Sequence, residues 1–242
     1  MSYVIRESLV PVSEVEISRT FVAVMRHVFL WMCLGLLVTA VTAAALVYTP
    51  LSFILVFLLQ NTYLFFGLMI AEIVLVVFLS ARISKLSIGA ARAWFLAYAL
   101  LNGVTMSVIF LVYATSSIAL AFATTAGLFG VMALIGYTTK ADLSSWGGYL
   151  LMGLIGLVIA SVANLFFANS TLDWILTYAG ILLFLALTVY DMNRIKRGIT
   201  AALSSGNEGM VARWGILGAL RLYLDFINLF LRLLRLLKGR RR

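Results

Sequence analysis

The feature that most constrains this chain is a recurring stretch of about twenty apolar residues, the length an α-helix needs to cross a bilayer. Such stretches occupy residues 28–48, 62–81, 93–113, 117–137, 146–168 and 173–193. A seventh, 215–237, is interrupted by Arg221, Asp225, Arg232 and Arg235. Inside hydrocarbon every backbone group must be satisfied by the protein, which leaves helices or closed barrels. The stretches do not alternate with period two, so they read as helices rather than barrel strands. Residues 51–59 are apolar but too short to span alone. They are expected to rest in the outer interface or to extend the second hairpin.

Composition supports the same reading. The chain is 64% hydrophobic and 11% charged, whereas soluble domains carry about 25% charge. A soluble fold of this size could not hide that excess, because its surface must still meet water. The expected class is therefore all-α, a polytopic integral membrane protein in contact with the lipid bilayer. Its parts are a cytoplasmic N-terminal segment (1–27), a seven-helix membrane domain (28–237) and a basic tail (238–242). No apolar core with a small-residue cleavage site marks residues 1–27 as a cleaved signal peptide.

The net charge of +9 is spread between the apolar segments and over the C-terminus, with no recognition motif around it. It reads as topology signal and attraction to anionic lipid, not as a nucleic-acid footprint. Arg6, Arg19 and Arg26 precede the first span. Arg82, Lys85 and Arg92 follow the second, Lys140 the fourth, and Arg194, Lys196, Arg197 and Arg213 the sixth. The intervening connections carry no Lys or Arg, which predicts a cytoplasmic N-terminus. Seven full crossings would then leave Lys238, Arg240, Arg241 and Arg242 outside. Either the last segment does not cross fully, or six strong helices carry a basic tail across. The longest polar stretch, 194–213, is expected to be a loop around Ser204, Ser205, Gly206 and Asn207.

One cysteine, Cys33, and one histidine, His27, exclude a His/Cys metal site and a Cys–His nucleophile pair. Lys85, Lys140, Lys196 and Lys238 all lie near segment ends, where none can form a mid-helix Schiff base. Phosphate loops, zinc motifs and serine-nucleophile motifs are missing as well, so no enzyme class and no tightly bound cofactor is expected.

Three acids fall inside apolar segments, where a charge at a helix centre costs about 2.5–3.5 kcal/mol on insertion scales. Each is a site candidate. Asp191 lies one turn before Arg194 and can pair with Arg194 or Lys196 at the boundary. Asp225 shares one helical face with Arg221, Asn228, Arg232 and Arg235, at offsets of four, three, four and three. That face either lies on anionic headgroups as an interfacial helix or lines a polar path among the other six helices. An Arg221–Asp225 pair at i, i+4 would neutralise the acid locally. Glu72 has no basic neighbour in sequence. Its partner comes from another helix or a cation, or it carries a proton.

Small residues at Ala123, Gly127, Gly130, Gly153 and Gly156 predict close helix approach. Asn102, Thr105, Ser107, Thr124, Asn164, Thr188 and Asn193 predict hydrogen bonds between helices.

Four segments carry a family resemblance: Leu101–Ser107 (LNGVTMS), Gly136–Leu143 (GYTTKADL), Tyr190-Asp191 ahead of Arg194-Ile195-Lys196, and Leu222–Phe230 (LYLDFINLF). They resemble the Bax inhibitor-1 family, also called the transmembrane Bax-inhibitor-motif family, and in particular its bacterial members. The resemblance runs from about residue 20 to residue 237. It implies seven transmembrane helices, six of them around a central seventh, in the bacterial inner membrane. It implies a pH-sensitive calcium leak whose switch is an aspartate pair on the sixth and seventh helices, matching Asp191 and Asp225. It implies a glutamate and an arginine on the second helix, matched by Glu72 and, nearest, Arg82. Arg221 and Asn228 join these as a supporting polar network.

Two carboxylates close together in a low-dielectric site share a proton and titrate as a unit. Losing that proton adds repulsion and frees oxygens. Calcium prefers oxygen ligands, so Asp191 and Asp225 with nearby carbonyls would offer it a weak, transient site. Weak binding suits a leak, because an ion held tightly does not leave. Two other readings compete. One is a non-transporting regulator that binds a membrane protease or quality-control partner, and the other a proton-coupled cation antiporter.

Overall fold

A computed structural model describes residues 14–82 and 85–239, which form helices throughout. In chain order these are α1 (Glu14–Tyr48), α2 (Ser52–Gln60), α3 (Thr62–Arg82), α4 (Ile88–Val112), α5 (Thr115–Thr138), α6 (Trp146–Phe167), α7 (Ser170–Ser204) and α8 (Glu208–Gly239). Residues 1–13, which include Arg6, and Arg240, Arg241 and Arg242 of the basic tail lie outside the described residues.

Six of these helices are long and apolar enough to cross a membrane: α1, α3, α4, α5, α6 and α7. The chain is an all-α polytopic membrane protein. The short apolar run after the first span is a nine-residue helix, α2, that turns the chain from α1 into α3. The sixth expected span is thus α7 and the seventh α8.

One expectation about the last third is corrected, and one question left open there is decided. The polar stretch 194–213 is mostly helix. Ile195, Ile199 and Ala202 are buried at helical spacing and carry α7 on to Ser204. Only Ser205, Gly206 and Asn207 form the turn, with Gly206 at φ 64 and its N–H donating to the Leu203 carbonyl at 3.0 Å. That left-handed conformation suits glycine, which has no Cβ to clash. The open question concerned α8, which is no surface helix. Its Leu220, Leu222, Tyr223 and Leu229 are completely buried, and it packs against α7, α1, α5 and α4.

α7 and α8 run antiparallel along their length. Near the start of α7, Asp173 meets Arg235 from the end of α8. At the other end of the pair, Trp214 of α8 fills the space beside Gly198 of α7. α1 packs on α4 and on α8, α5 on α7 and α8, while α3 sits outside α4 and α6 outside α7. The outer surfaces of α3 and α6 are bare and apolar. Tyr63, Ile70, Ile73 and Val77 of α3 and Met152, Ile159, Leu165 and Phe166 of α6 are all exposed, the surface a lipid solvent requires.

Of the glycines expected to allow close approach, Gly153 does so, where a Cβ would lie 3.2 Å from Leu183 Cδ1 of α7, and the others do not. A Cβ on Gly127, Gly130 or Gly156 would meet nothing within 4 Å. The close approach of backbones is instead at Gly103 of α4, where a Cβ would lie 2.8 Å from the Thr39 carbonyl of α1. The polar side chains divide too. Ser107, Thr124 and Thr188 donate to carbonyls of their own helices, and Asn164 accepts from the nearby Asn169 N–H. A hydroxyl in an apolar helix is satisfied most cheaply by the carbonyl one turn back. Asn102 and Thr105 do link helices, and Asn193 reaches the α5–α6 connection at Ala141.

Candidate functional site

The charged face of α8 is turned toward α7. Arg221 donates from Nη1 to Asp191 Oδ1 at 2.8 Å, and Arg235 from Nη1 to Asp173 Oδ1 at 2.9 Å. Arg232 lies beside Gly180, whose missing side chain leaves room for the guanidinium stem. The amphipathic stripe of α8 is therefore matched by two aspartates and a glycine on α7.

Asp191 and Asp225 are both buried, at 7% and 5% exposure. Asp191 and Arg221 are the charged groups that act on the Asp225 carboxyl. The three residues form one cluster. Within it the guanidinium is committed to Asp191, across the seam, and not to Asp225 one turn along its own helix. Asp225 Oδ2 is fully buried with no hydrogen-bond partner among the described residues, and Arg221 Nε is left in the same condition. An unpaired buried polar atom costs free energy that folding ordinarily avoids.

The boundary partners foreseen for Asp191 are engaged elsewhere or nearby. Lys196 donates to the carbonyls of Tyr137 and Thr139 at 2.7 and 3.1 Å, holding the end of α5. Arg194 contributes only at longer range to the field at Asp191. Asn228 donates to the Leu224 carbonyl of its own helix at 2.8 Å and does not join the carboxylates.

A second polar cluster lies on the opposite face of α8. Successive residues turn by about 100°, so Tyr223 points away from Arg221 and Asp225. Its hydroxyl shares a 2.7 Å hydrogen bond with Thr39 of α1 and donates to Asn102 Oδ1 of α4 at 3.1 Å. Thr39 lies 2.9 Å from the Ala99 carbonyl, which its hydroxyl can donate to. Half-buried Glu72 of α3 accepts from Thr105 of α4 at 2.8 Å. Glu72 thus finds its partner on another helix, as one of its open readings had it. Arg82 does not join it. That side chain is exposed at the end of α3, about 15 Å further along the helix. Tyr223 and Thr39 escaped sequence reasoning because a tyrosine amid leucines and a lone threonine look like packing. The only signal was a hydroxyl placed where lipid or core would otherwise need none.

Outside the apolar segments, Asp142 in the α5–α6 connection binds Arg197 near the end of α7. The Ser144 hydroxyl and backbone N–H also donate to it. These donors, Ser144 first and then Arg197, hold the Asp142 carboxyl down at about 2. Among the described residues no three His, Cys, Asp or Glu side chains converge to hold a metal ion. At the α7–α8 seam two carboxylates share their space with a guanidinium.

A family model described as inhibitor of apoptosis-promoting Bax1 matches residues 22–242. The chain belongs to the Bax inhibitor-1 family. It is 45% identical over 217 residues to "Inner membrane protein YbhL" of Escherichia coli K12, covering 90% of this chain and 92% of that one. A protein of Borreliella burgdorferi is 40% identical over 228 residues, 94% of this chain and 95% of its own. One from Deinococcus radiodurans is 38% identical over 218 residues, 90% of each. The motifs that carried the resemblance lie within this match, and both members of the aspartate pair fall on the α7–α8 seam.

Proposed function

We propose that this Bax inhibitor-1 family protein is a pH-sensitive calcium-permeable leak of the bacterial inner membrane, gated by protonation at Asp191 and Asp225. In this reading α8 is the seventh spanning helix and the N-terminus is cytoplasmic. The observation that carries it is the ion pair from Arg221 to Asp191 beside a buried Asp225 oxygen with no donor.

The gate follows from one guanidinium and two acids. With a proton on Asp225, Arg221 is free to bind Asp191 and ties α8 to α7. When Asp225 loses that proton, an anion one turn from Arg221 competes for the same guanidinium. The cross-helix pair weakens, two like charges face each other, and the seam loosens. Carboxylate oxygens freed from the arginine then offer Ca²⁺ a transient stop. The inner-membrane location rests on the name of the Escherichia coli relative and on apolar outer helices. The orientation rests on the basic end of the bundle, where Arg92, Lys196, Arg197 and Arg213 gather.

Liposomes holding the purified chain test this reading by Ca²⁺ uptake between about pH 5 and pH 8. Wild-type flux should vary with pH, and Asp191→Asn with Asp225→Asn should remove the variation. An unchanged profile in that double variant would exclude the aspartate gate.

One observation favours a second reading, a regulator that restrains a membrane protease or other membrane partner. Ala123, Gly127 and Gly130 form an exposed small-residue face on α5 that no helix among the described residues covers closely. Such a face admits a partner helix at short range. A protein that co-purifies stoichiometrically, with no flux in pure liposomes, would select it.

A further inference from the structure

We infer that the basic end of the bundle holds a site for an anionic phospholipid, with Arg92 binding the headgroup phosphate. Between α1, α4, α7 and α8 lies an open-sided cavity of about 300 Å³, separate from the aspartate seam. Thr20, His27 and Trp31 of α1, Arg92 of α4, and Ala212 and Gly215 of α8 are among its walls. No acid lines it.

Arg92 is held but not neutralised. Its guanidinium lies over the Trp31 ring, 5.1 Å from the centroid, and it makes no ion pair among the described residues. An arginine stacked on an aromatic keeps its planar fork of donors free, the geometry that grips phosphate oxygens. His27 Nδ1 donates to the Ala23 carbonyl at 3.0 Å, which leaves Nε2 as the ring atom available to a headgroup hydroxyl. The remaining wall, from Val24, Leu203, Val211 and Ile216, is apolar and suits the start of an acyl chain.

The location matches such a ligand. Arg92 sits one turn inside the start of α4, and Trp31 lies in the first apolar stretch just beyond Arg26. Tryptophan and arginine at this depth mark the headgroup level. Basic pockets between transmembrane helices, facing the side of positive charge, recognise anionic headgroups. A soluble phosphate would use Arg92 alone. A phospholipid uses the cation and the apolar wall together, and this second requirement separates the two sources.

The test is native mass spectrometry of the full chain in mild detergent, titrated with phosphatidylglycerol, phosphatidylcholine or inorganic phosphate. Phosphatidylglycerol should be retained in preference to phosphatidylcholine. Arg92→Gln should weaken its retention about tenfold, the effect of one charge-assisted contact. Ala212→Phe fills the cavity from the opposite wall with every charge in place and should also weaken it. Arg19→Gln, an exposed cation outside the cavity, should not. Wild-type retention of phosphatidylglycerol by both Arg92→Gln and Ala212→Phe would overturn the site. Displacement of the lipid by inorganic phosphate at equal concentration would overturn its assignment to a lipid.

Discussion

Arg221 of α8 binds Asp191 of α7 at 2.8 Å and leaves Asp225, one turn away on its own helix, without a donor to Oδ2 among the described residues. The preference for the distant acid over the near one makes this pair a link between helices. A local i, i+4 pair would have quieted two charges and joined nothing. In the proposed gate, the cross-helix pair ties the α7–α8 seam to the protonation of two acids.

Arg221→Gln is therefore expected to loosen the seam. Removing one partner of a mostly buried ion pair leaves the other charge uncompensated, at a cost of about 3–5 kcal/mol. A lower melting temperature in detergent, together with raised Ca²⁺ flux at the acidic end of the range, checks this. Unchanged melting would show that the pair contributes no stability.

Tyr223→Phe separates the two polar faces of α8. The ring keeps its edge contacts with Phe95 and Tyr98, while the hydrogen bonds to Thr39 and Asn102 are lost. Their loss at a buried site costs about 1–3 kcal/mol, chiefly at Asn102 Oδ1, since Thr39 keeps the Ala99 carbonyl. The pH midpoint of the flux should stay at its wild-type value, because Tyr223 faces away from the aspartates. A shifted midpoint would show that the two clusters act as one.

Gly103→Ala tests the α1–α4 contact. Its Cβ would lie 2.6 Å from Thr42 Cβ and 2.8 Å from the Thr39 carbonyl, so backbone and not merely a rotamer must move. A loss of about 1–3 kcal/mol is expected, the usual range for overpacking. The same substitution at Gly127, with open space around it, should leave melting unchanged.

Asp142 has its own pH signature. Its folded value, about 2, lies below the ordinary aspartate value of about 3.9. A depressed acid stabilises the fold above its unfolded value, and that contribution disappears as pH falls through the folded one. The clamp from the α5–α6 connection to Arg197 should accordingly persist across about pH 5 to pH 8 and take no part in gating. Hydrogen exchange in the α5–α6 connection checks this. Protection there, taken relative to the base-catalysed intrinsic rate, should be flat with pH in the wild type and lower in Asp142→Asn.

Much of this was legible in the sequence, because lipid imposes a simple rule. Six stretches of the right length and apolarity became six helices with little room for another outcome. The face of α8 was legible from the spacing of Arg221, Asp225, Arg232 and Arg235, and so was Asp191 as a buried acid. What the spacing could not give was the partner of that face. Whether an amphipathic helix meets headgroups or another helix depends on what the rest of the chain leaves open. Asp173 and Gly180, the residues on α7 that receive Arg235 and Arg232, look unremarkable alone. Glycine placement was misread for a related reason. Gly127 and Gly156 have the right interval for close packing, yet Gly103 and Gly136 are where a neighbour arrives. Arg82 fits the second span by proximity in sequence, but a helix projects it about three turns away from Glu72.

Ca²⁺ uptake into liposomes by Asp225→Asn alone, across about pH 5 to pH 8, addresses the gate most directly. Asparagine keeps the size of the acid and cannot ionise, so Arg221 stays on Asp191. The expected result is low flux that no longer changes with pH, beside a wild type whose flux rises as the proton is lost. An Asp225→Asn variant whose flux follows the wild-type profile would contradict the gate.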